Sequence, residues 1–179
     1  MTDRINLVVL FGGQSGEHEV SRTSASYIIG TLQTCDEYCI YPVGITKEGG
    51  WFYYEGCVSA LPDGSWFERG LIAPATLVPD AGRHFLYVDR QGHTEKIRVD
   101  CVFPVLHGMN GEDGTIQGML EMAGMPFVGC GMTASALAMD KAFANAIFDY
   151  YDIPQTKWRS VSETAWLRDR AKVSEAALE

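Results

Sequence analysis

This chain is short of positive charge: 14 Lys and Arg stand against 23 Asp and Glu, a formal net charge of -9. An acidic surface repels nucleic-acid phosphates and anionic lipid, so neither nucleic acid nor membrane is expected as a principal partner. Long apolar runs are also missing. The longest near the start is Leu7 to Phe11, far below a membrane span or a signal-peptide core, and a cytoplasmic location is expected. The five cysteines (Cys35, Cys39, Cys57, Cys101, Cys130) are odd in number and contain no C-x-x-C pair. They make a poor disulfide framework and a poor zinc site, as reduced thiols do. Neither a G-x-G-x-x-G fingerprint nor a Walker lysine occurs. With 46 % hydrophobic and 21 % charged residues the chain reads as globular, and 179 residues give room for one domain and the start of a second.

What is present alternates strand and helix. Ile5 to Phe11 is almost continuously apolar, as a strand buried on both faces of a parallel sheet reads. Gly12 to Gly16 breaks it, and Val20, Ser24, Tyr27, Ile28 and Leu32 are spaced to share one helical face. Tyr38 to Ile45 is a second strand, with a hairpin turn at Lys47-Glu48-Gly49-Gly50 into Trp51 to Tyr54. Residues 55–82, rich in Gly, Pro and small polar residues, read as an irregular surface excursion. A second hairpin turns at Asp89-Arg90-Gln91-Gly92, and Asp100 to Leu106 returns to the buried-strand pattern. A helix follows over Thr115 to Ala123, then a short strand at Pro126 to Val128 and a long helical pattern from Thr133 to Tyr151. Beyond Pro154 a strand over 156–161 and a polar helix over 162–178 are expected, the latter without a glycine or proline stop signal. The alternation predicts a parallel α/β domain over residues 1–130, with 131–179 opening something further.

Two glycine-rich loops carry the candidate chemistry. The first, Gly12-Gly13-Gln14-Ser15-Gly16-Glu17-His18-Glu19-Val20-Ser21, joins a strand to a helix, where free N–H groups suit an anion and a carboxylate can hold an ammonium. Read blandly, it is the tight turn that any such connection needs. The second, His107-Gly108-Met109-Asn110-Gly111-Glu112-Asp113-Gly114-Thr115-Ile116-Gln117-Gly118, sits where open α/β sheets bind their ligands. There His107 is a candidate proton carrier or orienting group, while Glu112 and Asp113 are equally suited to capping the next helix. A metal held by Glu17, His18, Glu19, His107 and Glu112 is the rival reading, but adjacent turn residues rarely converge on one ion and no H-x-x-x-H spacing occurs. No thiol adjoins either loop, which disfavours a cysteine nucleophile. Lys141, on the long helical pattern, reads from position alone as a solvated lysine.

Taken together, Val9 to Ser21, His107-Gly108-x-x-Gly111-Glu112-Asp113-Gly114-x-x-Gln117-Gly118 and Gly129-Cys130-Gly131-x-x-Ala134 to Lys141 resemble the D-alanine–D-alanine ligase family over residues 4–160. Tyr41 to Lys47, with Trp51, is similar to the longer ligases of that family. The resemblance implies a Rossmann-like parallel sheet flanked by helices (the pre-ATP-grasp domain, residues 1–130), a β-ribbon excursion, and a helical start of the ATP-grasp region over 131–179. It implies that Glu17 holds the ammonium of the first D-alanine, that His107 lies beside that substrate with Glu112 orienting it, and that Gly12, Gly13 and Ser21 shape the pocket. Lys141 then matches a nucleotide-side lysine. ATP phosphorylates the first carboxylate and a second D-amino acid attacks the acyl phosphate, with Mg²⁺ on the phosphates. The metal ligands belong to a downstream part with no counterpart here, so the chain reads as a ligase portion holding the first-D-alanine site, dimeric through its N-terminal domain. A non-catalytic amino-acid-binding or interface module is the alternative, and a dinucleotide oxidoreductase is weakened by the missing fingerprint.

Overall fold

A computed structural model describes residues 4–69 and 71–178. It falls into two compact units, Met1–Ala136 and Leu137–Glu179. In the first unit the elements run β1 (Ile5–Gly12), α1 (His18–Leu32), β2 (Tyr38–Ile45), β3 (Trp51–Tyr54), α2 (Trp66–Arg69), β4 (Ile72–Leu77), β5 (Phe85–Arg90), β6 (His93–Arg98), β7 (Cys101–Pro104) and α3 (Thr115–Met122). The seven strands form one sheet in the order β6-β5-β4-β3-β2-β1-β7.

The α/β expectation holds, but the sheet is mixed rather than parallel. Only β1 pairs in parallel, with β2 and β7 on its two sides; β2 to β6 run as an antiparallel meander. Parallel neighbours need a crossover, which α1 supplies between β1 and β2, whereas the tight turns after β2 and β5 allow only antiparallel return. The β-ribbon therefore extends the sheet instead of standing apart from it.

From Leu7 to Phe11 strand β1 is apolar because both its faces are covered. Leu7, Val9 and Phe11 pack with Ala25 and Ile29 of α1, while Val8 and Leu10 pack with Ile116 and Leu120 of α3. Each such side chain stabilises the fold by about 1.5–3 kcal/mol on burial.

Residues 55–82 are not merely irregular. They hold a short 3-10 turn at Val58–Ala60, α2 and β4, anchored by buried Leu61 and Trp66. Trp66 stacks edge-on to Phe11 at 5.0 Å and lies over Gly44, where any side chain would collide with its ring. Pro74 disguises β4 in the sequence, yet it pairs only with Phe52, and the pairing with β5 starts at Ala75.

The predicted face of α1 is also corrected. Its buried residues are His18, Ser21, Arg22, Ala25 and Ile29, while Val20 and Tyr27 are 53 % and 73 % exposed. Hydrophobic spacing fails here because polar side chains of the first turns go inward to bond the glycine loop.

Three smaller expectations change. Pro126 to Val128 contributes a single bridge, Val102 to Phe127, rather than a strand. The long helical pattern is two helices, α4 (Met132–Met139) and α5 (Lys141–Tyr150), because Asp140 takes an extended conformation and caps α5 through the N–H groups of Ala142 and Phe143. Residues 156–161 form no strand, and the last pattern is α6 (Glu163–Arg168), capped by Ser162, and α7 (Arg170–Leu178), separated at Asp169. No helix among the described residues is long and apolar enough to cross a membrane.

Candidate functional site

The site lies at the carboxyl ends of β1 and β7. The chain leaves β1 through α1 toward β2 on one side, and β7 lies on the other side, so the crevice between β1 and β7 is a topological switch point. Val105 N–H donates to the Leu10 carbonyl at 2.8 Å. One step further the strands no longer bond directly. The Ser21 hydroxyl stands between them, accepting from Gly12 N–H at 2.8 Å and donating to the Val105 carbonyl. A side chain from α1 thus wedges the ladder open.

Backbone geometry dictates the first loop. Gly12 and Gly13 have φ of 87° and 95°, a region that L side chains rarely enter. A Cβ on Gly12 would strike the Ile45 carbonyl, which itself accepts from Gly13 N–H at 2.9 Å. Buried His18 donates from Nδ1 to the Gly13 carbonyl at 2.8 Å, closing the turn.

Carboxylates shape the second loop. Glu112 Oε2 accepts from Gly108 N–H at 2.7 Å. Asp113 accepts from Asn110 N–H at 2.8 Å and Thr115 N–H at 3.0 Å, and the latter bond caps α3. Burial raises the Asp113 pKa, but the Asn110 and Thr115 donors outweigh it and hold that carboxyl below its ordinary value. Gln117 Nε2 supports the loop from beneath through the Gly111 carbonyl at 2.8 Å.

Serines suture the two loops. Ser15 Oγ donates to the His107 carbonyl at 2.7 Å and accepts from Glu17 N–H at 2.9 Å. Ser24 Oγ lies 3.2 Å from His107 Nε2. Glu17 occupies the N-cap position of α1 without capping it, so its carboxylate is not consumed by the helix. That carboxylate reaches across to Gly108, where a Cβ would lie 2.8 Å from Glu17 Oε2. Glu17 and Glu112 therefore converge on Gly108 from opposite loops, with His107 Nδ1 3.8 Å from Glu112 Oε1. Two exposed carboxylates and an imidazole on a glycine floor can hold a primary ammonium through charge-assisted hydrogen bonds.

Of the residues singled out in the sequence, Glu17, His107 and Glu112 come together. Gly12 and Gly13 form the wall beside them, and Ser21, with 0 % exposure, sets that wall from behind. His18 is consumed by Gly13, and Glu19 turns away to Lys47 at 2.6 Å, so neither joins the cluster. Lys141 belongs to the second unit, where its exposed ammonium donates to the Ala138 carbonyl at 3.0 Å. No group of three or more His, Cys, Asp or Glu side chains among the described residues is arranged to hold a metal. Ser15, Ser24 and Gly108 were not singled out. Ser24 reads in the sequence as part of a helical face; its place one helical turn after Ser21 is the signal that could have found it. Beside the loops, on the α3 face, opens a cavity of about 250 Å³ walled by Ile45, Trp51, Leu106, His107, Ile116 and Met119.

A mixed α/β domain with a small polar site at its switch point is the build of a small-molecule-binding domain. The chain belongs to the family of the D-ala D-ala ligase N-terminus, whose model matches residues 6–130. It is 47 % identical over 152 residues to the D-alanine–D-alanine ligase of Thermoanaerobacter pseudethanolicus, covering 85 % of this chain and 42 % of that protein. Over 144 residues it is 44 % identical to a putative D-alanine–D-lactate ligase of Streptomyces coelicolor, covering 80 % of this chain and 40 % of that one. Among solved structures it resembles the VanG D-Ala:D-Ser ligase of Enterococcus faecalis, with a TM-score of 0.81 and 34 % identity over 99 % of this chain and 50 % of that one. The D-alanine-D-alanine ligase of Coxiella burnetii matches at a TM-score of 0.81 and 32 % identity, over 99 % and 49 %. The chain thus spans about 40–50 % of the length of these relatives.

Proposed function

We propose that this chain provides the first-substrate half of an ATP-dependent D-alanine–D-X ligase of peptidoglycan precursor synthesis, acting in the cytoplasm and holding D-alanine at the Glu17–His107–Glu112 cluster. The observation that carries the reading is the uncapped Glu17 carboxylate, aimed at Gly108 rather than into its own helix. Glu17 takes the ammonium. Glu112 orients His107 and stiffens Gly108, and Gly12, Gly13 and Ser21 fix the wall against which the substrate lies. The first 130 residues are then the ligase N-terminal domain, pairing two copies, and residues 131–179 the start of the ATP-grasp region.

The ligase family is ATP-dependent, and ATP with Mg²⁺ supplies the acyl phosphate that the second amine attacks. The residues described do not fit that group: no carboxylate cluster among them is arranged for a metal, and Lys141 bonds the Ala138 carbonyl at the end of the preceding helix. No step is therefore assigned to them beyond binding and orienting the first amino acid.

The test is titration of the 179-residue chain with D-alanine and L-alanine, followed at the amide resonances of Gly108 and Glu17, alongside ATP-dependent phosphate release. Perturbation by D-alanine, weakened about tenfold or more in Glu17→Gln, supports the assignment. A Glu17→Gln chain that binds D-alanine unchanged removes Glu17 from the role. D-alanine binding without phosphate release is expected of a chain carrying this half alone.

A further inference from the structure

The cavity on the α3 face extends beyond the residues that the amino-acid reading uses, to Ile45, Trp51, Ile116 and Met119. A zwitterion needs charged partners, and this cavity offers none: no Asp, Glu, Lys or Arg lines it, and neither Glu17 nor Glu112 reaches its wall. Placing an ammonium or a carboxylate there would strip it of water without a counter-charge. The walls favour something else. Trp51 offers an indole, and Met109 and Met119 offer thioethers, which make favourable contacts with aromatic rings. Trp51 and Met119 are only partly buried against the core, and Met109 is 60 % exposed, so a ligand has apolar surface left to cover. Where the β1–β7 ladder opens, the main-chain N–H of His107, another lining residue, has no hydrogen-bond partner among the described residues.

We infer that this cavity is a second ligand site, adjoining the ammonium cluster through His107, which takes an uncharged aromatic molecule of fragment size carrying one hydrogen-bond acceptor. About 250 Å³ admits a single substituted ring and excludes a nucleotide. The two sites share Gly12, Gly13 and His107, so an occupant fixes the loops that hold Glu17 and Glu112 and acts as an effector of amino-acid binding. That coupling rests on the function proposed above; the existence of the aromatic site does not.

Benzamide, benzoate and benzylammonium are one ring with neutral, negative and positive substituents. Titrated into the 179-residue chain, benzamide is expected to shift the Gly13 amide, the Trp51 indole N–H and the Met119 methyl, with a Kd on the order of 1 mM. The charged pair is expected to bind about tenfold more weakly. Met119→Trp fills the cavity from the core side. Thr115→Trp fills it from an exposed position at its rim, and so stays informative should the first variant fail to fold. Each is expected to weaken benzamide about tenfold. Equal binding of all three probes, shifts centred away from these residues, or benzamide binding unchanged in a folded filling variant would overturn the site. D-alanine moving Trp51 and Met119 as strongly as benzamide would also overturn it, by making the cavity part of the amino-acid pocket. Benzamide binding with no response to D-alanine would leave this site standing and fail the function proposed above.

Discussion

The two glycine loops meet at one crevice but are built by opposite means. The first is held by backbone: two left-handed glycines, a strand carbonyl and two buried side chains, His18 and Ser21, leave no slack. The second is held by its own carboxylates, Glu112 and Asp113, which stand toward water and accept from main-chain N–H groups. The first therefore fixes a shape and presents the Glu17 carboxylate. The second can yield, because its bonds from Gly108, Asn110 and Thr115 N–H end in side chains with rotamers to spare. Residues whose bonding capacity is spent hold the site, and the one proposed to take the ammonium, Glu17, has capacity left over.

Breaking the rigid loop should cost most. Gly12→Ala adds a Cβ that collides with a strand carbonyl and forces a left-handed φ, so a loss of about 3 kcal/mol or more is expected, read as a large fall in Tm. Ser21→Ala comes next. It leaves Gly12 N–H and the Val105 carbonyl unsatisfied where no water reaches, for about 2–4 kcal/mol in denaturant unfolding. A Ser21→Ala chain as stable as the parent would show that the strands close directly and that the wedge is dispensable.

Gly108→Ala sharpens the contrast. Gly108 also has a positive φ, of 69°, but the atom its Cβ meets is the free end of Glu17 rather than backbone. About 1 kcal/mol of stability is expected to go, because the side chain can swing aside. D-alanine binding should suffer more than stability, since the swing moves the proposed ammonium partner. A parallel loss of both would place Glu17 among the structural residues.

Much of this was legible in the sequence, for identifiable reasons. Two-sided burial wrote β1 as an unbroken apolar run, and the second loop announced itself through glycines and paired acids in one short segment. What stayed hidden depends on residues brought together from far apart. Ser21 and Val105 are 84 positions apart, and nothing local marks that hydroxyl as a strand wedge. Both hairpins of the ribbon were legible from their turns at residues 47–50 and 89–92, but not β4, which lies within residues 55–82 and joins them to β1, β2 and β7 in one mixed sheet. Polar burial turned the first half of the α1 face, as His18, Ser21 and Arg22 went inward while Val20 and Tyr27 stayed exposed; further along, Ile28 and Leu32 pack against the core as their spacing predicts.

Ser24→Ala addresses the junction of the loops. His107 Nε2 has the Ser24 hydroxyl as its partner, and its Nδ1 faces Glu112 at 3.8 Å, beyond hydrogen-bond reach. With the hydroxyl gone the imidazole keeps only the longer contact, so nitrogen chemical shifts of His107 should show mixed tautomers while stability falls by only about 0.5–1.5 kcal/mol. An unchanged tautomer would assign the ring's orientation to Glu112 alone.

The smallest effect, and the most selective, is the response of the second loop to acid. The Asp113 carboxyl is held below its ordinary value because donors from Asn110 and Thr115 outweigh the cost of its partial burial. A group depressed on folding stabilises the folded loop above its unfolded pKa, near 4 for an aspartate, and that stability drains as pH falls through the lower folded value. The N–H groups of Asn110 and Thr115 should then exchange faster, relative to unstructured amides, once the pH drops below about 4. Gly12 and Gly13, held without any carboxylate, should show no such change. Asp113→Asn keeps an acceptor for one of the two donors and cannot titrate, so the acid response should vanish while α3 stays capped. If both loops loosened together in acid, the division between a rigid wall and a yielding one would be wrong, and the crevice would open as a single unit.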